Sequence, residues 1–354
     1  MARVAILCGG RSHERAVSLR TGARVEQALH AIGTHEAVLV DVNEHLPETL
    51  RTGEFDVAYI ALHGRGGEDD QVQALCELHE LPYTGTRNGP CGAAFHKARA
   101  KRLLLAAGVP TPAFITFSEH AIEQFGAGDV REEADELGYP LVVKPARAGS
   151  SLGTRFVDDG ADLPRALIGA MSYDSQVLVE RHVHGRELSV TILGAIGGGA
   201  EPGSGGAGSS EAGSSEAGDD PASQPRVLPA VEIVPRHADW FDYESRYSHG
   251  ETEFTCPPIG FDDAVLARAE QVALDAFVAL DISGYGRVDL IVDDAGDPWV
   301  LEVSPVPGLT ETSLVSVALD AVGIPLEDLV THLLADAIAQ GTPTSDAAAD
   351  ELDA

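Results

Sequence analysis

Over the first ninety positions, apolar residues fall in short runs separated by polar stretches. Residues 3–8 are a run of β-formers ending in Gly9-Gly10, and helical periodicity follows over about 16–31. Residues 37–41 and 57–62 are further strand candidates, the second ending at His63-Gly64-Arg65-Gly66-Gly67. Strands alternating with helices predict a parallel sheet with ligand loops at the carboxyl ends of its strands. A helix is expected over about 93–107, followed by Gly108-Val109-Pro110-Thr111-Pro112, which reads as a linker. Two short β-runs, 141–144 and 177–180, flank a Gly/Ser loop and a helix. From Glu187 onward the pattern is antiparallel: strands at 188–193 and 227–234, a helix over 262–280, a hairpin over 286–303 and a last helix over about 313–322.

Residues 197–225 differ in character. They are small or polar, with Gly-Ser-Ser-Glu-Ala repeated in tandem from Gly208, a composition not expected to bury apolar area. They read as a disordered insertion between two strands, with a lid as the alternative. The carboxyl end, 339–354, reads as an acidic tail. The formal charge of −32 argues against nucleic acid, whose phosphates would meet a negative surface. Lysine occurs only at 97, 101 and 144, the other basic residues being arginine. An acidic, lysine-poor yet 44% apolar chain suits a salt-filled cytoplasm, where ions screen self-repulsion; an ordinary acidic enzyme is the alternative. Cys8, Cys76, Cys91 and Cys256 lack zinc-ligand or disulfide-framework spacing. No signal peptide or membrane-length apolar run is present, so a soluble cytoplasmic protein is expected.

The strongest chemical signal is the stretch from Arg287 to Ser304. With a two-residue turn at Ala295-Gly296 and Asp294 opposite Asp297, Asp289 faces Glu302 and Arg287 faces Ser304 on one side of the hairpin. Opposed carboxylates repel unless a cation lies between them, and oxygen ligands without Cys or His select Mg²⁺ or Mn²⁺. A solvated acidic face is the other reading. Arg287 would add fixed positive charge, as phosphoryl transfer requires. No Gly-x4-Gly-Lys-Ser/Thr loop exists, which excludes a P-loop ATPase. Lys144 instead opens Pro145-Ala146-Arg147-Ala148-Gly149-Ser150-Ser151-Leu152-Gly153, a loop able to wrap phosphates in backbone N–H groups, or an ordinary surface turn.

Seven motifs in register resemble the D-alanine–D-alanine ligase family of the ATP-grasp superfamily, over about residues 3–338. They are Gly9-Gly10-Arg11-Ser12-His13-Glu14-Arg15-Ala16-Val17-Ser18-Leu19, Ala61-Leu62-His63-Gly64-Arg65-Gly66-Gly67-Glu68-Asp69, Leu81-Pro82-Tyr83-Thr84-Gly85, the Lys144 loop, Phe241-Asp242-Tyr243-Glu244, Gly286-Arg287-Val288-Asp289 and Pro307-Gly308-Leu309-Thr310. The resemblance implies an α/β (α+β) ATP-grasp fold. A Rossmann-like parallel-sheet domain over 1–96 would bind substrate, and two α+β subdomains, 97–185 and 186–338, would clamp ATP.

The resemblance also implies roles. Lys97, Lys144, Ser151 and Arg246 would bind ATP phosphates, Glu180 to Val183 the adenine, and Glu187 the ribose. Asp289 and Glu302 would hold two Mg²⁺ or Mn²⁺ ions. The γ-phosphoryl group would pass to the carboxylate of one D-alanine, and the amine of a second would displace phosphate. Arg287 and the Gly308 N–H would stabilise the oxyanion, while Glu14, Ser150 and Tyr247 form an orienting hydrogen-bond set. Glu14 would also bind the first substrate's ammonium, and His63 would lie near its reacting carboxylate or cap local backbone. Ser313 and Leu314 would receive the second substrate's carboxylate. Tyr247 favours a dipeptide over a depsipeptide product, the product would serve peptidoglycan synthesis, and a homodimer is expected. Three departures stand out: Ser304 replaces a metal-binding asparagine, Arg246 a lysine and Ala148 a glutamate. A weaker second metal site, another amino- or hydroxy-acid substrate and a non-catalytic binding protein therefore stay open.

Overall fold

The aliphatic run of strand β1, Arg3–Cys8, is buried almost throughout. It forms the middle of a parallel sheet between β2, Glu36–Asp41, and β3, Val57–Ile60. The structure, a computed structural model, describes residues 1–125, 127–195, 224–236 and 252–341. Arg246, Tyr247 and the Phe241–Glu244 motif lie outside the described residues, as do nearly all of 197–225 and the stretch 342–354. Helices α1, Arg15–Ile32, α2, Leu46–Thr52, and α3, Gln71–Leu78, connect and follow these strands.

The single helix expected over 93–107 is two. Helix α4, Pro90–Phe95, ends at His96, whose extended backbone (ψ 92°) breaks the ladder before α5, Lys97–Ala106. The break lets the Lys97 N–H donate to the Ala146 carbonyl at 2.9 Å, pinning the start of α5 to the Gly/Ser loop.

A second, antiparallel sheet follows in the order β4-β7-β5-β6. Its strands are β4, Phe114–Ser118, β5, Leu141–Pro145, β6, Arg155–Val157, and β7, Gln176–Arg181. Helices α6, Glu119–Phe125, and α7, Ala127–Leu137, follow β4, while α8, Leu163–Met171, follows β6. The third sheet runs β11-β10-β8-β12-β13, with β9 paired to β8. These strands are β8, Gly185–Leu193, β9, Arg226–Val227, β10, Val231–Pro235, β11, Thr252–Thr255, β12, Tyr285–Asp293, and β13, Pro298–Ser304. Helix α9, Asp263–Ala279, packs on this sheet through Ala269, Ala273 and Ala276, whose small side chains allow close approach. Asp262 caps it by accepting the Ala264 N–H at 2.8 Å.

The β12–β13 hairpin corrects the expected register. Its loop has three residues, 294–296, closed by Asp293 N–H donating to Asp297 O at 3.0 Å, with Gly296 at φ +83° where a side chain would strain. That shift alone would turn Glu302 into the core. A bulge at Leu301 adds one residue and restores the expected pairs, Asp289↔Glu302 and Arg287↔Ser304. Helix α10, Leu314–Ala321, agrees with expectation, but it is not the last helix. Helix α11, Leu326–Gln340, follows it and occupies the first residues assigned to the tail. Leu329, Val330, Leu333 and Leu334 of α11 join β1, β3 and α1 in one core. Helix α11 thereby covers the amino-terminal sheet.

Candidate active site

Loops from all three sheets meet around two clefts. One, of about 890 Å³, is lined by Glu14, His63, Ser150, Arg287, Gly308 and Ser313, together with Ser304 and Leu314. The other, of about 1370 Å³, is lined by Lys144, Ser151, Glu180, Val183, Glu187 and Asp289. Lys97 and Glu302 line both.

The wall of the first cleft is built from short contacts across sheets. Ser150 Oγ donates to Glu14 Oε1 at 2.5 Å, joining the loop after β5 to the start of α1. Glu14 fits there because Gly64 and Gly149 carry no side chain: a Cβ would lie 2.4 Å and 2.7 Å, respectively, from its Oε2. His63 is buried, with Nδ1 3.1 Å from the Val306 carbonyl and Nε2 2.9 Å from Thr21 Oγ1. A carbonyl only accepts, so Nδ1 carries the proton and Nε2 accepts from the Thr21 hydroxyl. Burial lowers the proton affinity of His63 and keeps it neutral.

Glu68, quoted in the sequence only as part of a motif, also lines this cleft. Its Oε1 accepts the Gly64 N–H at 3.0 Å, and burial, reinforced by Glu14, pushes its carboxyl up to about 8. Arg287 grips Asp289 with two hydrogen bonds of 2.8 and 2.9 Å, and Ser189 Oγ donates to Asp289 Oδ1 at 2.7 Å. Burial opposes the Arg287 charge, but Asp289 outweighs it and keeps the guanidinium cationic. Ser313 caps α10 by accepting the Ser316 N–H at 3.1 Å, placing that helix N-terminus beside the cleft.

The second cleft is lined by two of the three lysines, Lys97 and Lys144. Lys97 Nζ donates to Ala148 O at 2.8 Å and pairs with Glu302 Oε2 at 2.7 Å. Lys144 pairs with Glu180 Oε1, whose other oxygen lies 2.9 Å from Lys101 Nζ. Burial works against the Lys144 ammonium, but Glu180 outweighs it and tightens its hold on the proton. The Glu180 side chain is thus committed to two lysines, leaving the backbone of 180–183 to face the cleft. Lys101 carried no role in the sequence reading. Its i+4 spacing from Lys97 on one helix face was the signal available.

The opposed carboxylates do not need a metal to relieve their repulsion, because Arg287 and Lys97 each neutralise one. Among the described residues no group of three His, Cys, Asp or Glu side chains is placed to hold an ion by itself. Two carboxylates and the Ser304 hydroxyl nevertheless fit Mg²⁺ or Mn²⁺, which complete their shells with phosphate oxygens and water.

The family described as "D-ala D-ala ligase C-terminus" matches residues 103–201 and 218–335. The D-alanine–D-alanine ligase of Alcanivorax borkumensis is 40% identical over 341 residues, covering 96% of this chain and 95% of that protein. The crystal structure of the Bacillus anthracis D-alanine–D-alanine ligase is 30% identical, with a TM-score of 0.76, and covers 96% of this chain and 98% of that one. The same enzyme complexed with ATP superposes with a TM-score of 0.74 at 30% identity, covering 95% and 97% of the two chains.

Proposed function

The chain belongs to the D-alanine–D-alanine ligase family, and we propose that it joins two D-alanines with cleavage of ATP, giving D-alanyl-D-alanine, ADP and phosphate. The observation that carries this reading is the junction of the two clefts at Lys97 and Glu302. A nucleotide in the larger cleft and an amino acid in the smaller would meet there.

In this reading a carboxylate oxygen of the first D-alanine attacks the γ-phosphorus and ADP leaves, giving an acylphosphate. Lys97 and Lys144 hold the phosphates, and Ser151 and Arg246 would bind them as well. The backbone of 180–183 receives adenine and Glu187 the ribose. Glu14 binds the first ammonium, while Ser150 and Tyr247 keep Glu14 oriented. Neutral His63, its two ring nitrogens held by Val306 and Thr21, packs beside Gly308 without adding charge. The second D-alanine, its carboxylate at Ser313, Leu314 and the α10 N-terminus, gives one ammonium proton to solvent and attacks the carbonyl carbon as the free amine, whose next proton leaves with the phosphate. Arg287 and the Gly308 N–H stabilise the oxyanion until phosphate departs. Asp289, Glu302 and Ser304 would hold two Mg²⁺ or Mn²⁺ ions, the second more weakly through the serine, which would neutralise phosphate oxygens. The amino-terminal parallel-sheet domain, 1–96, and the subdomains 97–185 and 186–338 supply the walls. The reading extends to a homodimer in the cytoplasm that provides a peptidoglycan precursor. No helix among the described residues is long and apolar enough to cross a membrane.

The test measures ADP release in concentrated KCl with Mg²⁺ against a panel of D- and L-amino and hydroxy acids. Turnover that requires D-alanine supports the reading, and turnover confined to another acceptor overturns it. Glu302→Gln should abolish ADP release while the folded circular-dichroism spectrum persists. Retained turnover would refute the assignment of Glu302.

A further inference from the structure

Lys101 is the one lysine of the chain that the mechanism above does not use. It is fully buried, with 1% of its surface exposed. Its ammonium meets Glu180 Oε2 at 2.9 Å, donates to Thr111 Oγ1 at 2.5 Å and to the Pro112 carbonyl at 3.4 Å, and lies 5.5 Å from the Phe114 ring centre. The Thr111 hydroxyl in turn donates to the Val300 carbonyl at 2.7 Å, two residues before Glu302. Burial pushes Lys101 down to about 8, so the ammonium is charged at neutral pH. Removing a charge from water is unfavourable unless a partner compensates. Glu180, itself buried, already has Lys144 as a partner. A second cation on the same carboxylate calls for a reason.

The reason lies in where the net charge emerges. Two lysines on one carboxylate leave a net charge of one positive unit. Lys144 lines the nucleotide cleft and Lys101 does not, so the unit is presented to the cleft through Lys144. Without Lys101, Glu180 would be neutralised by Lys144 alone and would hold that ammonium back from any phosphate. We propose that Lys101 is a positioning residue: by giving Glu180 a buried counter-charge of its own, it leaves Lys144 available to the nucleotide phosphates. The proposal rests on the ATP-dependent reading above and assigns this residue its part in it.

Calorimetric affinities for ATP, ADP and adenosine, measured on wild type, K101M and K101M/E180Q with thermal melting as the fold control, test the proposal. K101M should weaken ATP roughly tenfold or more, while adenosine, which carries no phosphate, changes less than about twofold. Adding E180Q removes the carboxylate that captures Lys144 and should return ATP affinity to within about threefold of wild type. Equal losses for ATP and adenosine, or a double variant no better than K101M, would overturn the proposal in favour of a packing role. If K101M does not fold, the double variant decides: near-normal ATP affinity supports the proposal and a loss overturns it. A wild-type chain that binds no ATP overturns the ligase reading itself, whereas normal ATP binding by K101M overturns only the role of Lys101.

Discussion

A methyl group at Gly149 would stand 2.7 Å from Glu14 Oε2, closer than such atoms approach, so the Glu14–Ser150 hydrogen bond depends on a missing side chain. Gly149→Ala should therefore displace Glu14 and lower kcat/KM for D-alanine, by up to roughly 100-fold for a shift near 1 Å. ATP affinity should stay unchanged; an equal loss for both ligands would place the damage elsewhere. Glu68 sets a pH dependence in the same cleft. With its carboxyl pushed up to about 8, chiefly by burial, it is neutral below that pH and anionic above it. The new anion joins Glu14 and Glu302 in a cleft that must admit a carboxylate, so kcat/KM for D-alanine should fall as pH rises through 8. Glu68→Gln should flatten that fall relative to wild type over pH 7–9; an identical profile would exclude Glu68 as its source. Residue type and spacing alone point to Asp289 and Glu302, whereas Glu14 and Ser150 enter only through the family resemblance. Neither shows that the Glu180 carboxylate is shared between Lys144 and Lys101, because that depends on Lys101 arriving from another element.

Local pattern carried the strands well, since β1, β5 and β12 each combine apolar runs with buried faces. It failed where tertiary contacts decide. The break between α4 and α5 has no proline or glycine at His96 to announce it, and the Ala146 carbonyl that receives the Lys97 N–H lies in another segment. The hairpin pairing came out right through two shifts that cancel, a longer loop and a bulge, which alternation alone does not reveal. Helix α11 was legible, because Leu326, Leu329, Val330, Leu333, Leu334 and Ala337 recur at helical spacing, yet the expected helices stop at about 322 and the tail is expected only from 339. Its contribution is testable. Leu333 is fully buried against the amino-terminal sheet, so Leu333→Ala should destabilise the protein by about 2–5 kcal/mol. Urea denaturation measures this directly; a loss below about 1 kcal/mol would show that α11 is not part of that core.

At the scale of the whole molecule, three sheets each give one wall to the site, and the chain carries a formal charge of −32. Ion pairs do little to offset it: Arg11–Glu44 and Arg51–Glu48, for example, join side chains more than half exposed, where pairs contribute little. The excess therefore acts as general self-repulsion that favours expansion, and added salt should relieve it. Screening reaches about 10 Å in 0.1 M salt but only about 3 Å at 1 M, short enough to uncouple most surface charges. The melting temperature should accordingly rise between 0.1 M and 2 M KCl. A general salting-out effect would raise it too, so the discriminating measurement changes charge at fixed solvent. Glu132, Glu133 and Glu136 lie exposed on α7, away from both clefts. If repulsion is the cause, E132Q/E133Q/E136Q should melt above wild type at 0.1 M KCl and converge with it at 2 M. A constant offset at both concentrations would mean that the substitutions act through helix propensity, and that salt stabilises this chain by a route other than charge screening.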